Sequence, residues 1–600
     1  MSGDWIDDDE AAQSVDLSLW RKLLQYTLHY RRTTWVFSIV ALGLASCDLC
    51  FPLLTGHLID EIRVHGMEAN LASYGWAFAI LSVVFCGFIL GFIRCAGKIR
   101  THVSHDIRGD AFERLQQLSF SFYDAKPVGW LMARLTSDCQ RLSQILAWGV
   151  MDLIWGTTLM TGIAIAMFWH NWRLTLAVLV VVPALFGVSL YFRKWMLKAA
   201  RMVRKYNSRL TGAYNEAIVG VRTTKVFTRE SENLADFERL ADQMRLHSVR
   251  NAVLSAMYMP IVLTLGSVAI AMALAMGGRQ VLLGTLGIGE VVMFMYFAQL
   301  FFAPIHDLSM WFAELQMAQA SAERVLGLIE AKPEIEDSPE VREQIEALGD
   351  DTDSAAIDTI EFHDVSFQYG DGPLVIDRLR LQVEAGQTIA LVGSTGGGKS
   401  TIVNLLCRFY EPTAGEILIG GVDYRQRSLH WLQSKLGIVL QQPHLFSGTI
   451  AENIRYGRLE ASDEELVAAS QLAGAHDFIE QLEQGYETSV GEGGNQLSLG
   501  QKQLVSFARA VLKSPQLLVM DEATSSIDTE TEQLIQSGIS RVLQGRTSFV
   551  IAHRLSTVRA ADRILVIEQG KIAEDGRHEE LMALRGRYYD LYTEQRIMDR

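Results

Sequence analysis

The residues best suited to chemistry fall in two short stretches. TIALVGSTGGGKST, residues 388–401, runs an apolar strand into the spacing GxxxxGK[ST]. Gly393, Gly396, Gly397 and Gly398 let the backbone curl with its N–H groups pointing inward, where they and a helix N-terminus hold phosphate oxygens. The helix is expected to begin at Ile402. Lys399 then reaches the β- and γ-phosphates of a nucleotide, and the Ser400 hydroxyl takes Mg2+. The nucleotide-binding set expected here is Gly393, Ser394, Thr395, Gly396, Gly397, Gly398, Lys399, Ser400 and Thr401. A glycine turn alone accounts for the glycines, but strand, spacing, lysine and hydroxyl agree on phosphate.

The second stretch, LLVMDE at 517–522, is an apolar run ending in two carboxylates, the form of a buried strand whose tip enters a site. Asp521 is placed to hold Mg2+ through water, and Glu522 to orient or deprotonate an attacking water. In isolation both acids also fit a solvated strand end.

The elements that must position these residues follow from the hydrophobic pattern. IEFHDVSFQY, TIALVG and LLVMD read as strands separated by amphipathic helices, which implies an α/β domain with a largely parallel sheet. We assign this domain to 356–600 and a charged linker to 321–355.

The preceding half has another character. Six stretches are long and apolar enough to cross a ~30 Å hydrocarbon layer, namely about Thr33–Ile59, Ala72–Ile93, Gly149–Trp169, Leu174–Phe192, Ala252–Met276 and Leu286–Pro304. They place an all-α transmembrane domain at 33–320, after an N-terminal tail and elbow helix at 1–32. The acidic start (Asp4, Asp7, Asp8, Asp9, Glu10) argues against a cleavable signal. Basic residues crowd before the first stretch (Arg21, Lys22, Arg31, Arg32), after the second (Arg94 to Arg114) and after the fourth (Arg193 to Arg209), which predicts both termini in the cytoplasm. The connections 94–148 and 193–251 read as helical stalks that continue the spans, with tips at 120–138 and 212–230 that need something to touch.

Composition excludes several alternatives. The chain of 600 residues has 54 Lys and Arg against 69 Asp and Glu, a net charge of −15, which disfavours a nucleic-acid partner. Mean hydropathy is +0.14, an average of one very apolar half and one ordinary half. Six scattered cysteines make no disulfide framework or metal cluster, and Cys47 and Cys50 stand as a lone pair inside an apolar helix.

Between the two chemical stretches lies LSLGQKQLVSFARA, 497–510, which resembles the signature helix of ATP-binding cassette (ABC) proteins. VLQQPHLFSGTIAENI (439–454), SVGEGG (489–494), SSID (525–528) and IAHRLST (551–557) are similar to the family's Q-loop, X-loop, D-loop and switch-histidine motifs, in family order. With the spans, and with NWRLTLAVLVVVP and GAYNEAIVGVRTTKVF, the whole chain resembles a half-transporter of the ABC exporter class, nearest to bacterial multidrug or lipid exporters. The resemblance implies an ATPase that moves amphipathic molecules across the inner (cytoplasmic) membrane as a dimer, with ATP and Mg2+ as cofactors. It makes Tyr369 the stacker on adenine, Gln441 a ligand of Mg2+ and the lytic water, and His553 a γ-phosphate contact. Ser498, Gly500 and Gln501 would hold the nucleotide of the opposite subunit, and Asp528 would cross the interface. An ATP-gated channel or a non-transport membrane regulator on the same scaffold is the alternative.

One position departs from the family pattern. Leu499 stands where the signature usually has glycine, and leucine takes φ > 0 only at a cost and fills space beside the nucleotide. In the family the chain resembles, a subunit with the catalytic glutamate (here Glu522) and an atypical signature often pairs with an unlike subunit, so the resemblance leans to a heterodimer, with a homodimer as the alternative. For cargo, Asp48 in the first span is expected either to line a cavity as a cation contact or to make a helix–helix hydrogen bond. Aromatic and methionine residues of the sixth span (Met293, Phe294, Met295, Tyr296, Phe301, Phe302) are expected to form an adaptable apolar pocket or to face lipid.

Overall fold

A computed structural model describes residues 16–348, 356–521, 529–552 and 554–598. The chain divides into two units, one within Met1–Gln116 and Val128–Ala331, the other within Gln117–Pro127 and Lys332–Arg600.

The first unit is helical. Asp16 caps a short helix, Leu17–His29, by accepting the Ser18 N–H at 2.8 Å. Long helices follow at Arg31–His65, Leu71–Gln117, Val150–Leu179, Val181–Val219, Glu230–Leu282 and Ile288–Ile329. Four helical stretches of the described residues, Arg31–Glu68, Leu71–Gln117, Val128–Leu179 and Glu230–Leu282, are long and apolar enough to cross a membrane, with a shorter apolar helix at Ile288–Phe301. The apolar run 174–192 is divided at Val180, because Pro183 has no N–H for the Leu179 carbonyl and the helical ladder is interrupted there. The turn expected between the third and fourth stretches is at Asn171, which leaves helical geometry (φ −158°, ψ 97°) and whose side chain accepts the Leu174 N–H at 3.1 Å.

The stalks are continuous with the spans. Helix Glu230–Leu282 has 53 residues, about 80 Å at helical rise. The last helix runs to Ile329, into the stretch assigned to the linker, and a further helix occupies Pro339–Leu348. At one end of the bundle, Asp60 accepts the Gly289 N–H at 2.8 Å, and Gly56 and Gly289 bring their backbones too close for any Cβ. Elsewhere buried Asp138 makes a two-pronged ion pair with Arg324 at 2.9 and 3.1 Å and accepts the Ser321 hydroxyl.

The second unit holds two sheets. An antiparallel sheet has the order β2-β1-β4-β5, from Leu374–Glu384, Thr359–Gln368, Ala414–Ile419 and Val422–Asp423. The other has the order β10-β9-β3-β8-β7-β6, from Lys571–Gly576, Arg563–Glu568, Thr388–Val392, Thr547–Ile551, Leu517–Asp521 and Leu436–Val439. All its pairings are parallel except β10 on β9. β3 and β8 are buried along their whole length, as expected of strands covered on both faces.

The first tip is divided. Its part 120–127, with the preceding 117–119, belongs to the second unit, where Ser119 Oγ accepts the Glu334 N–H at 2.8 Å and the Phe120 and Phe409 rings lie 4.2 Å apart. Its remainder, 128–138, belongs to the helical unit, as does the second tip, 212–230.

Candidate nucleotide site

Strand order builds the site. β3, β8, β7 and β6 run parallel, so the segments leaving their carboxyl ends share one edge of the sheet, where open α/β sheets bind ligands. β3 delivers the loop 393–398, β7 ends on Asp521, and Gln441 follows β6 as an exposed residue. β8 leads through Ala552 to position 553. Glu522, Asp528 and His553 lie outside the described residues.

The loop is shaped by glycine. Gly393, Gly396 and Gly398 have φ of 140°, 80° and 105°. A Cβ at Gly393 would collide with the Ile567 carbonyl oxygen, and one at Gly398 would sit 2.8 Å from Ile376 Cδ1. With Gly398 as a left-handed cap, the helix begins at Lys399, earlier than the expected Ile402, and runs Lys399–Leu406. Lys399, Ser400 and Thr401 thus fill its first turn, which puts their N–H groups among those with no partner inside the helix.

Lys399 is buried, and its Nζ donates to the carbonyls of Gly393 and Ser394 at 2.8 Å each, so the side chain folds back across the loop. Burial pulls its pKa down while the nearby Asp521 carboxylate acts against that shift. A polyanion beside the ammonium would favour the charged form in the same way. Ser400 is exposed beside it. A hydroxyl and a carboxylate around a cradle that a Cβ would fill are hard oxygen donors suited to Mg2+ shared with phosphate.

Tyr369 follows the end of β1. Its ring stands edge-on to Phe367 (4.8 Å) and Tyr410 (5.0 Å), and its hydroxyl lies 3.1 Å from Thr401 Oγ1. The residue stays 39 % exposed, at variance with a core aromatic.

In the segment 497–510, Ser498 is exposed and caps the helix Leu499–Leu512: its hydroxyl accepts the Gln501 N–H at 3.3 Å, and the Gln501 side chain accepts the Ser498 N–H at 2.9 Å. Gly500 is buried. The expectation for Leu499 is corrected here. It is the first helical residue and is not among the residues of positive φ, so no backbone strain attaches to the leucine, whose side chain is 42 % exposed. The Ser498 cap sets the chain direction one residue before, in the S-x-x-Q spacing of a capping box.

Sequence reasoning missed Arg509. Its guanidinium donates to the Asn453 carbonyl at 2.8 Å, the Asn453 side chain at 2.9 Å and the His444 carbonyl at 3.0 Å, tying this helix to the segment that contains Gln441. A cation within a helix otherwise rich in buried apolar residues was the available signal.

With this geometry in place, family comparisons are decisive. The ABC transporter transmembrane region matches residues 35–305, and the ABC transporter domain matches 376–525. An uncharacterized ABC transporter ATP-binding protein of Bacillus subtilis is 36 % identical over 96 % of this chain and 94 % of its own length. The chain belongs to the ABC exporter family. A lipid A-core flippase of Syntrophus aciditrophicus is 36 % identical to this exporter over 82 % of the chain and 80 % of its own length. The structure of a bacterial Atm1-family ABC exporter with ATP bound superimposes with a TM-score of 0.78 at 28 % identity, covering 94 % of this chain and 98 % of that one. The exporter is thus a membrane protein with a helical transmembrane domain and an ATP-binding α/β domain, an ATPase coupled to transport.

In the exporter's helical unit, Asp48 accepts the Trp155 indole N–H at 3.0 Å, the helix–helix hydrogen bond that was one of its two readings. Met293, Phe294 and Phe301 are buried in the bundle core, whereas Tyr296 is half exposed.

Proposed function

We propose that this exporter works as a dimer that moves amphipathic small molecules or lipids out of the cytoplasmic leaflet or cytoplasm by alternating access, with two ATP molecules sandwiched between its nucleotide domains. The observation that carries the reading is the convergence of Lys399, Ser400, Asp521 and Gln441 at one sheet edge in a chain that also spans the membrane. The phosphate loop and Lys399 would bind the phosphates, Tyr369 would stack on the base, and Ser400, Asp521 and Gln441 would hold Mg2+. Bound there, Mg2+ neutralises developing phosphate charge. Glu522 would position the lytic water and His553 the γ-phosphate. Ser498, Gly500, Gln501 and Asp528 would complete the site of the other subunit.

Two exposed surfaces support a second subunit. Ser498 and Leu499 face solvent, and the tip 212–230 exposes Ile218, Val219, Val226 and Phe227, each at least two-thirds accessible. Exposed apolar clusters of this kind mark protein contacts, and a partner's nucleotide domain is the contact this reading requires. Leu499 carries no backbone strain, which is compatible with two copies of this chain as the dimer, and its departure from the usual signature keeps an unlike subunit as the alternative. The basic residues at the stalk ends favour both termini in the cytoplasm, with the protein in the inner membrane. Sequence likeness to the lipid A-core flippase favours a lipid or lipid-like cargo.

The test is ATPase activity of the full chain in lipid nanodiscs against a panel of amphipathic compounds and lipids. Stimulation by at least one class is expected, with Glu522→Gln cutting turnover by on the order of a hundredfold. Wild-type turnover in that variant would move the catalytic role elsewhere.

A further inference from the structure

One arginine holds the loop that carries Gln441. Between β6 and the helix Ile450–Arg455 the chain leaves the sheet, and Gln441 is exposed there with no side-chain hydrogen bond among the described residues. Its position is therefore set by its backbone. Among the described residues, the hydrogen bonds that reach the backbone of 441–446 come from two side chains. Arg509 Nη1 donates to the carbonyl of His444, three residues after Gln441, at 3.0 Å. The Asn453 side chain accepts the Phe446 N–H and donates to the Phe446 carbonyl, each at 2.9 Å. Arg509 controls that residue too, donating to the Asn453 carbonyl at 2.8 Å and to Asn453 Oδ1 at 2.9 Å. The guanidinium also lies 5.6 Å from the ring centres of both Phe446 and Tyr456.

From this geometry we infer that Arg509 is a positioning residue for Gln441. The inference rests on Gln441 being a ligand of Mg2+ and the lytic water. A planar guanidinium offers several donors in a fixed fork, so one side chain satisfies all three acceptors and ties their positions together. The fork stands in the last turn of the helix Leu499–Leu512, whose apolar residues are mostly buried, so its base is fixed. Without it, the His444 and Asn453 carbonyls lose that donor, and water replaces the bonds but not their geometry. Gln441 then samples positions from which its amide misses the ion. The phosphate loop and Tyr369 stand on other strands and keep their places, so phosphate and base binding persist.

The experiment measures binding of a fluorescent ATP analogue to the full chain in nanodiscs, first in chelator and then in Mg2+, together with steady-state turnover. Arg509→Met should reduce both the gain in affinity on adding Mg2+ and kcat by about tenfold, the scale on which residues that orient a metal ligand act, while affinity in chelator changes by less than about threefold. An arginine with a merely structural role would lower both affinities alike. Gln441→Ala should give the same pattern, and the double variant should stay within about twofold of the poorer single variant, because one residue acts through the other. Arg509→Lys, which keeps the charge and can make one of the bonds, should fall between, and it carries the comparison if Arg509→Met does not fold. Losses that multiply in the double variant, or a wild-type Mg2+ gain and kcat in the Arg509 variants, overturn the positioning role. Wild-type behaviour of Gln441→Ala instead refutes the ligand reading beneath it.

Discussion

At the scale of single residues, the central group is one ammonium. Lys399 is buried against two carbonyls, with the Asp521 charge nearby, so Lys399→Met should lower ATP affinity at least tenfold in equilibrium binding with a fluorescent ATP analogue. Unchanged affinity would remove the phosphate role. Chelating divalent metal should abolish hydrolysis while leaving nucleotide binding measurable, because loop N–H groups hold phosphate without the ion. Leu499→Gly is expected to leave turnover within about twofold, since the residue is helical and exposed and glycine there costs about 1 kcal/mol of helix propensity. A tenfold rise would show that leucine obstructs the site. The glycine loop before Lys399 and Ser400 was legible from its spacing after a strand, although the helix starts at Lys399 and not at Ile402. The backbone state of Leu499 was within reach too, because Ser498-x-x-Gln501 has the spacing of a capping box that starts a helix at Leu499, a signal that comparison with the usual glycine passes over.

At the scale of elements, the phosphate loop stands on positions where a side chain cannot fit. Gly393→Ala adds a Cβ against the Ile567 carbonyl at a φ of 140° and should destabilise the nucleotide domain by roughly 1–3 kcal/mol, seen as a lower thermal midpoint with weakened ATP binding. Gly396→Ala meets no atom within 4 Å and carries only the backbone strain of φ 80°, so its loss should be the smaller of the two. Equal losses would mean that contact with Ile567 is irrelevant. The strands were legible from short apolar runs, and the spans from their length. The turn at Asn171 was legible as the polar gap between the third and fourth apolar stretches, whereas the break at Val180 was not, because Pro183 interrupts the ladder through a missing donor inside a run that stays apolar. The division of the first tip at 127 was equally hidden, since Phe120 and Asp124 acquire their partners from residues nearly three hundred positions away.

At the scale of the whole molecule, one chain supplies a phosphate loop and, in Ser498, an exposed signature residue, and this reading uses each in a different site. Two tagged forms of the chain should therefore co-purify from detergent; recovery of monomers alone would favour an unlike partner. The membrane half and the ATPase half were legible from the contrast in hydropathy and from motif order, while cargo was not, because buried Met293, Phe294 and Phe301 serve packing and Asp48 is engaged by Trp155. The account stands most directly on transport itself. Inverted membrane vesicles containing the chain should accumulate a dye or labelled lipid when ATP is added, and vesicles with Glu522→Gln should not. Equal accumulation with and without ATP, or ATP-dependent ion conductance with no uphill uptake of any compound, would contradict it.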